Sequence, residues 1–129
     1  MNLIDSSGWL EFFADGPNAG DFAGPIRRIE EVVVPTICLY EVFKVVLRER
    51  SEDEALQAVA LMRQGKVIDL TPELALQAAK ASLDHKIPMA DSIIFATAQV
   101  FHAIVWTQDR DFKGLPGVRF FPRKSASVM

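Results

Sequence analysis

The sequence predicts an α/β fold built on a parallel, doubly wound sheet. Five short apolar runs indicate strands, at residues 2–5, 32–35, 67–70, 103–107 and 118–121. They are continuous rather than alternating, which is typical of strands covered on both faces. The segments between the first four have a helical pattern, and strands separated by helices indicate parallel pairing. The 129 residues contain no repeat, low-complexity tract or linker, so we expect a single domain over residues 1–129.

Local signals mark the starts of two helices in the middle of the chain. Ser51 followed by Glu54 is a capping box, in which the serine side chain accepts a hydrogen bond from the first turn. Thr71 followed by Pro72 is typical of an N-cap and a first helical residue. Three apolar residues of the helix after Pro72 are expected to face the core: Leu76, Ala79 and Leu83.

The first part of the chain carries weaker signals. Thr36 is expected to cap the helix after the second strand, and Gly24-Pro25 is expected to break an early helical segment. For Trp9 and Trp106 we favour packing in the core over stacking on a nucleotide base. Four phenylalanines at helical spacings are also expected in the core: Phe12, Phe13, Phe95 and Phe101.

Composition limits the class of protein. The net charge of −3 excludes an ordinary, strongly basic nucleic-acid binder. No apolar run approaches the roughly 20 residues that span a bilayer, and the first residues lack the basic and long apolar stretches of a signal peptide. The single cysteine, Cys38, cannot form an internal disulfide and lies in the apolar stretch "TICLY". We therefore expect a buried thiol and a cytoplasmic protein.

Four acidic residues should meet at one edge of this sheet. Asp5 ends the first strand, Glu41 lies early in the helix after the second strand, and Asp109 follows the fourth strand. Asp91 begins the helix that precedes the fourth strand. That helix of about 11 residues is ~16 Å long, close to one strand length, so its start can reach the same edge. Ligands of parallel sheets bind beyond the carboxyl ends of the strands, so we expect the site there.

Each acid alone also has a structural explanation, as a helix cap, a dipole partner, a surface residue or a turn former. A shared edge changes the energetics, because two carboxylates ~4 Å apart repel by about 4 kcal/mol at an effective dielectric constant of 20. Four together must be held apart, partly protonated or neutralised by a cation. Oxygen ligands without a histidine or cysteine cluster favour Mg²⁺ or Mn²⁺ over zinc. Such an ion would organise phosphate oxygens and activate a water molecule.

Four segments, "LIDSSGWLEFF", "VPTICLYEV", "IPMADSIIFATA" and "VWTQDRDF", carry these acids in order. Together they resemble the PIN-domain family and, more narrowly, the VapC-type toxins of bacterial and archaeal toxin–antitoxin pairs. The resemblance covers nearly the whole chain. It implies a three-layer fold with a five-stranded, mainly parallel sheet flanked by helices, and Mg²⁺- or Mn²⁺-dependent cleavage of RNA. It also implies homodimers and inhibition by a VapB-type antitoxin.

The resemblance also implies roles for individual residues. The catalytic and metal-binding quartet would be Asp5, Glu41, Asp91 and Asp109. Supporting residues would be Ser6, Thr107 and Asp111. In the basic C-terminal part of the chain, Arg110 and Lys113 are the residues closest to the acids, and we expect them to contact the RNA backbone.

Other functions are less compatible with the sequence. A receiver domain needs a lysine at the end of its last core strand, but the fourth and fifth predicted strands lead to Thr107 and Pro122. A haloacid-dehalogenase-like phosphatase needs a second acid two residues after Asp5, where Ser7 stands. A histidine-dependent ribonuclease needs two imidazoles, and His102 precedes the fourth strand, at the edge opposite the acids. A non-catalytic PIN-like module that binds metal and RNA or a partner stays open as an alternative.

Overall fold

The computed structural model describes residues 1–124, in which strands and helices alternate along most of the chain. The described strands are β1 (Asn2–Ile4), β2 (Val33–Pro35), β3 (Lys66–Ile68), β4 (Ile104–Thr107) and β5 (Val118–Phe120). The described helices are α1 (Ser6–Phe13), α2 (Ala19–Ile26), α3 (Thr36–Glu49), α4 (Glu52–Met62), α5 (Pro72–His85) and α6 (Met89–Val100). Short 3₁₀ turns cover Ile29–Glu31 and Arg110–Phe112.

All strand pairings are parallel. β4 lies between β1 and β5, and β2 pairs with β3. A single bridge between Asn2 and Val32 connects the two parts, so the strand order is β3-β2-β1-β4-β5. The predicted strands are confirmed with ends that shift by one or two residues, although the sheet is divided into three-stranded and two-stranded parts. Parallel pairing directs the carboxyl ends of β1, β2 and β4 to one edge.

Two of the predicted helix starts are confirmed. The Ser51 hydroxyl accepts a hydrogen bond from the Glu54 N–H at 3.1 Å and caps α4. The Thr71 hydroxyl accepts one from the Leu74 N–H at 3.2 Å and caps α5, with Pro72 as its first residue. Side-chain caps of this kind satisfy backbone N–H groups that lack a partner within the helix.

Two expectations for the first part of the chain are wrong. Thr36 is the first residue of α3 rather than its cap, because β2 leads directly into the helix through Pro35. Gly24 and Pro25 do not break a helix, since both lie inside α2, in its last turns. A proline so close to the end of a helix removes little of its hydrogen bonding. The chain instead leaves its first helix before Asp15, whose φ of 52° is left-handed.

The expected core face of α5 is also wrong. Leu76 and Leu83 are 74% and 82% exposed, and Ala79 is exposed as well. The buried residues of this helix are Leu74, Ala78 and Ala81. α5 packs mainly on α6 through this small-residue face, so its larger leucines point away from the core.

The hydrophobic core lies between the sheet and the helices. Trp9 and Phe95 are fully buried in it, and Phe12, Phe13 and Phe101 pack against it partly buried, as predicted. Its largest fully buried aliphatic residues come mainly from β1, β2, α4 and α6: Leu3, Ile4, Val33, Val34, Met62 and Ile94. Within the described part of the chain, no helix is long and apolar enough to cross a membrane.

Candidate active site

Asp5 stands between β1 and α1 and is 2% exposed. Its Oδ1 accepts hydrogen bonds from the Ser7 hydroxyl at 2.7 Å and from the Gly8 N–H at 3.0 Å. Its Oδ2 accepts one from the Thr107 hydroxyl at 2.7 Å. Asp5 therefore caps α1 and is also tied to the end of β4. A carboxylate oxygen can take two partners, so Oδ2 can accept the Thr107 hydroxyl and still face a cation.

The segment after β4 wraps around this carboxylate. The Thr107 hydroxyl accepts a hydrogen bond from the Asp109 N–H at 2.9 Å, and the Gln108 N–H donates to the Ser7 hydroxyl at 3.2 Å. Asp109 in turn caps the short turn that follows it, because its Oδ1 accepts from the Asp111 N–H at 2.9 Å. These bonds place the carboxylates of Asp5 and Asp109 at the same edge of the sheet.

Three acids form the closest group at this edge. One carboxylate oxygen each from Asp91, Asp109 and Asp111 lies within 4.8 Å of the other two. Asp91 occupies the first turn of α6, where Pro88 is the N-cap and no side chain caps the helix. Asp91 therefore does not serve as the N-cap of α6 and is directed toward the two acids that follow β4.

The pKa values of two of these acids reflect burial and mutual repulsion. Burial raises the pKa of Asp5 to about 6, against the lowering effect of hydrogen bonds from Ser7, Thr107 and Gly8. Burial also raises the pKa of Asp91 to about 8, with further contributions from the charges of Asp109, Asp111 and Asp5. Without a cation, Asp91 thus retains a proton at neutral pH.

Glu41 approaches the site from α3. Its Oε1 accepts a hydrogen bond from the Ser6 hydroxyl at 2.6 Å, which connects α3 to the first residue of α1. The Cys38 thiol is fully buried nearby, as predicted. Burial raises the pKa of Cys38 well above its usual value, and the charges of Asp5, Glu41 and Asp91 raise it further. The charges of these three carboxylates therefore all act on the buried Cys38 thiol.

The structure thus brings the predicted acids to one edge but groups them unequally. Asp111, predicted as a supporting residue, belongs to the closest group with Asp91 and Asp109. Asp5 lies behind them among hydrogen-bond donors, and Glu41 is held separately by Ser6. An all-oxygen group of three carboxylates, one of which retains a proton because of its burial and its acidic neighbours, fits a hard divalent cation such as Mg²⁺ or Mn²⁺.

Several polar residues that lie behind the acids were not identified as functional residues from the sequence. Ser7 and Gln108 lie inside the motifs that carry Asp5 and Asp109, so their proximity to those acids was a usable signal. Asn18 is completely buried and bonds to Gln108, but it belongs to no recognisable motif. Only the folded structure brings Asn18 to this site.

The residues expected to contact RNA lie at the rim. Arg110 and Lys113 are exposed and lie within four residues of Asp109. Arg110 is the first residue of the 3₁₀ turn, and Lys113 follows the turn. Trp9 is buried and stacks on Phe13, and the Trp106 ring contacts Phe121 and Arg119. Of the histidines, His102 precedes β4 and is exposed, while His85 packs edge-on against Phe95.

Solved structures with the same architecture come from several organisms. A toxin–antitoxin complex from Klebsiella pneumoniae aligns with a TM-score of 0.76 at 21% identity, over 92% of this chain and 96% of that chain. The VapC20 toxin of Mycobacterium tuberculosis, described as cleaving the sarcin–ricin loop, has a TM-score of 0.76 at 18% identity, over 90% of this chain and 95% of that chain. VapBC2 from Rickettsia felis, bound to a DNA fragment of its promoter, has a TM-score of 0.72 at 12% identity, over 93% and 96%.

At these identities the structural similarities show a shared fold. No curated protein matches the sequence at a significant level. A profile of the PIN domain, however, matches residues 3–118 of the 129. The match spans β1 to the start of β5 and includes all the acids described above. The chain therefore belongs to the PIN domain family.

Proposed function

We propose that this protein is a Mg²⁺- or Mn²⁺-dependent endoribonuclease and the toxin of a toxin–antitoxin pair. The observation that carries the proposal is the group of three carboxylates within 4.8 Å at the carboxyl edge of a parallel sheet. Such a group is costly without a cation and is the ligand type that hard divalent ions prefer. Membership of the PIN domain family and the shared fold with VapC20 support nuclease activity.

Asp91, Asp109 and Asp111 would hold the ion, with Asp5 as a ligand from behind or through water. The bound ion would supply charge neutralisation for the scissile phosphate and a more acidic water. Glu41, held by Ser6, would orient the attacking water or bind a second cation. In the hydrolysis, the water oxygen bonds to phosphorus and loses a proton, the bond to the leaving ribose oxygen breaks, and that oxygen takes up a proton.

Attraction of an anionic substrate by an acidic protein needs local positive charge. Arg110 and Lys113 are exposed and follow Asp109 closely in the chain, so they would bind RNA phosphates near the cleaved bond. Trp106 is a poor candidate for base stacking because its ring already contacts Phe121 and Arg119. Phosphate contacts would therefore supply affinity without reading the sequence.

The antitoxin would dock in a groove of about 650 Å³ beside the site. The groove runs between α1, α3 and α4, and its apolar lining includes Leu10, Phe13, Val45 and Leu61. Its margin carries charges of both signs, Glu49 and Glu54 beside Arg50 and Arg123, so its apolar lining rather than its charge would select the partner. An amphipathic antitoxin segment fits this pattern, and it would end beside Ser7 and Gln108. Several solved structures with this fold are themselves toxin–antitoxin complexes, which supports an antitoxin as the partner.

The second copy of a homodimer would pack against the exposed apolar stripe of α5, which is formed by Leu76 and Leu83. In an antiparallel, twofold arrangement centred between residues 79 and 80, Leu76 lies opposite Leu83 of the other copy. The same arrangement brings Glu73 opposite Lys86, which pairs unlike charges. These two pairings are complementary, as a twofold interface requires, and Lys80, which would lie beside the axis, is paired with Asp84 of its own helix.

The experiment is cleavage of a labelled RNA by purified protein with Mg²⁺ or Mn²⁺, with and without EDTA. We expect cleavage that stops in EDTA and is absent from Asp109→Asn. Asp53→Asn, which removes an exposed acid from the first turn of α4, serves as the matched control and should cleave normally. Undiminished cleavage in EDTA would contradict the metal mechanism. RNA binding without cleavage under all metal conditions would favour the non-catalytic alternative.

A further inference from the structure

A buried polar network lies directly behind the segment that carries Asp109. Asn18 is 0% exposed and Gln108 is 2% exposed. The Asn18 side-chain amide donates hydrogen bonds to Gln108 Oε1 and to the Pro122 carbonyl, both at 3.0 Å. Gln108 Nε2 donates to Glu11 Oε1 at 3.3 Å, and the Asn18 N–H donates to Glu11 Oε2 at 2.7 Å. Glu11, Asn18 and Gln108 thus form a closed triangle.

The orientation of both amides is determined by chemistry. The Pro122 carbonyl can only accept, so Asn18 must present its NH₂ group to it and to Gln108. Gln108 must then present oxygen to Asn18 and its NH₂ group to Glu11, whose carboxylate can only accept. Reversing either amide would oppose two acceptors or two donors in a buried place, which is costly. The triangle therefore holds the Gln108 side chain in one state.

The loop between α1 and α2 packs closely against the Glu11 carboxylate. A Cβ built on Gly16 would lie 2.5 Å from the Glu11 carboxylate, so a larger residue at position 16 would displace this carboxylate from its present place. The close approach brings the Asn18 N–H onto Glu11. Asn18 heads α2 but its side chain does not cap that helix, because it is directed into the triangle instead.

The triangle is coupled to the acids through the backbone of Gln108. Its N–H donates to the Ser7 hydroxyl, which in turn donates to Asp5 Oδ1. Immediately after it, the Asp109 N–H is bonded to the Thr107 hydroxyl, which donates to Asp5 Oδ2. A fixed Gln108 side chain therefore fixes the peptide units from which the Thr107 and Asp109 side chains project.

We infer that Glu11, Asn18 and Gln108 are positioning residues that set the metal-binding geometry of Asp109 and Asp5 without touching metal or RNA. The inference rests on the proposed metal-dependent function. Residues that orient metal ligands from behind typically change metal affinity or activity by about 10- to 100-fold when they are replaced.

A swap of two side chains tests the inference. Gln108→Glu places two carboxylates face to face and adds a negative charge, whereas Glu11→Gln opposes two NH₂ groups and removes one. In the double variant Glu11→Gln/Gln108→Glu, Gln at residue 11 accepts from the Asn18 N–H and donates to Glu at residue 108. The latter still accepts from the Asn18 amide, so all four bonds can re-form with unchanged net charge. Gln77→Glu, at an exposed position of α5, is the matched control.

Mn²⁺ affinity by calorimetry and RNA cleavage are measured beside hydrogen exchange of the Gln108 and Asp109 amides. We expect each single variant to lose about tenfold or more in Mn²⁺ affinity and to exchange these amides faster, and the double variant to recover both. Cleavage should follow the Mn²⁺ affinity. Gln77→Glu should match the wild type. A merely structural role would lower the melting temperature in the single variants but leave their Mn²⁺ affinity unchanged.

Two results would overturn the inference. One is unchanged Mn²⁺ affinity and amide exchange in folded single variants, and the other is a folded double variant that recovers neither. A gain of Mn²⁺ affinity in Gln108→Glu alone would also contradict it, since charge rather than geometry would then dominate. If the wild type binds no metal, the proposed function fails, whereas amide exchange still reports whether the triangle positions Asp109. If Gln108→Glu does not fold, the comparison of Glu11→Gln with the double variant, whose net charge is that of the wild type, carries the test.

Discussion

Replacing Asp91 with asparagine should stabilise the metal-free protein at pH 8 and have no such effect near pH 4. The pKa of Asp91 is raised in the folded state, to about 8 from 3.8. Between these values the unfolded chain loses a proton that the folded protein keeps, so the stability of the folded protein falls as the pH rises. Above pH 8 the loss is complete. Asp91→Asn cannot ionise and is spared this loss.

The size of the expected gain in stability follows from the raised pKa of Asp91. At 1.36 kcal/mol per pKa unit, a rise from 3.8 to about 8 corresponds to roughly 6 kcal/mol. Asp91 is only partly buried, so solvent screening reduces this to about 2 kcal/mol. For a chain of this size about 1 kcal/mol shifts the melting temperature by about 4 °C, so we expect a gain of about 8 °C at pH 8.

The assay is thermal unfolding of both proteins from pH 4 to pH 9 in EDTA, repeated with Mn²⁺. Added Mn²⁺ should stabilise the wild type at pH 8 and leave Asp91→Asn nearly unchanged, because the variant lacks a ligand. Asp53→Asn should follow the wild type throughout. A melting temperature of metal-free Asp91→Asn well below that of the wild type at pH 8 would refute the reasoning and make Asp91 a structural residue of α6.

Two further expectations concern the partners. Arg110→Ala/Lys113→Ala, made in an inactive Glu41→Gln background, should weaken RNA binding and reduce its salt slope by about 0.7 for each lost phosphate contact, whereas Arg27→Ala/Arg28→Ala should not. An unchanged slope would mean that RNA binds elsewhere. Leu76→Ser/Leu83→Ser should convert a dimer to a monomer in light scattering, and a dimer that persists would exclude the α5 interface.

The strands and the edge that carries the acids could be predicted because they depend on local patterns. Continuous apolar runs identified β1 to β5, and the order of strands and helices required parallel pairing. Asp5 and Asp109 directly follow strands, so their place was determined once the strands were known. Asp91 required only the length of α6. The caps Ser51 and Thr71 were predictable for the same reason, since each bonds within its own first turn.

Apart from the local errors at Thr36 and Gly24-Pro25, the errors concern how segments of the chain pack on one another. The pattern of α5 contains two apolar stripes, and only its packing on α6 selects the small residues Ala78 and Ala81 over Leu76 and Leu83. The sequence predicted Asp111 only as a supporting residue. Its distance in sequence from β4 does not show that the 3₁₀ turn brings its carboxylate close to Asp91 and Asp109. Asn18 lies 90 residues from Gln108, so no local signal could associate it with the site.

The position of the metal can be observed by soaking crystals with Mn²⁺ and collecting data at a wavelength where manganese scatters anomalously. We expect a peak between the carboxylates of Asp91, Asp109 and Asp111, with Asp5 close behind, and no such peak in Asp91→Asn crystals. A peak bound elsewhere, or none in protein that nevertheless cleaves RNA in a Mn²⁺-dependent manner, would contradict the assignment of this acidic edge as the catalytic site.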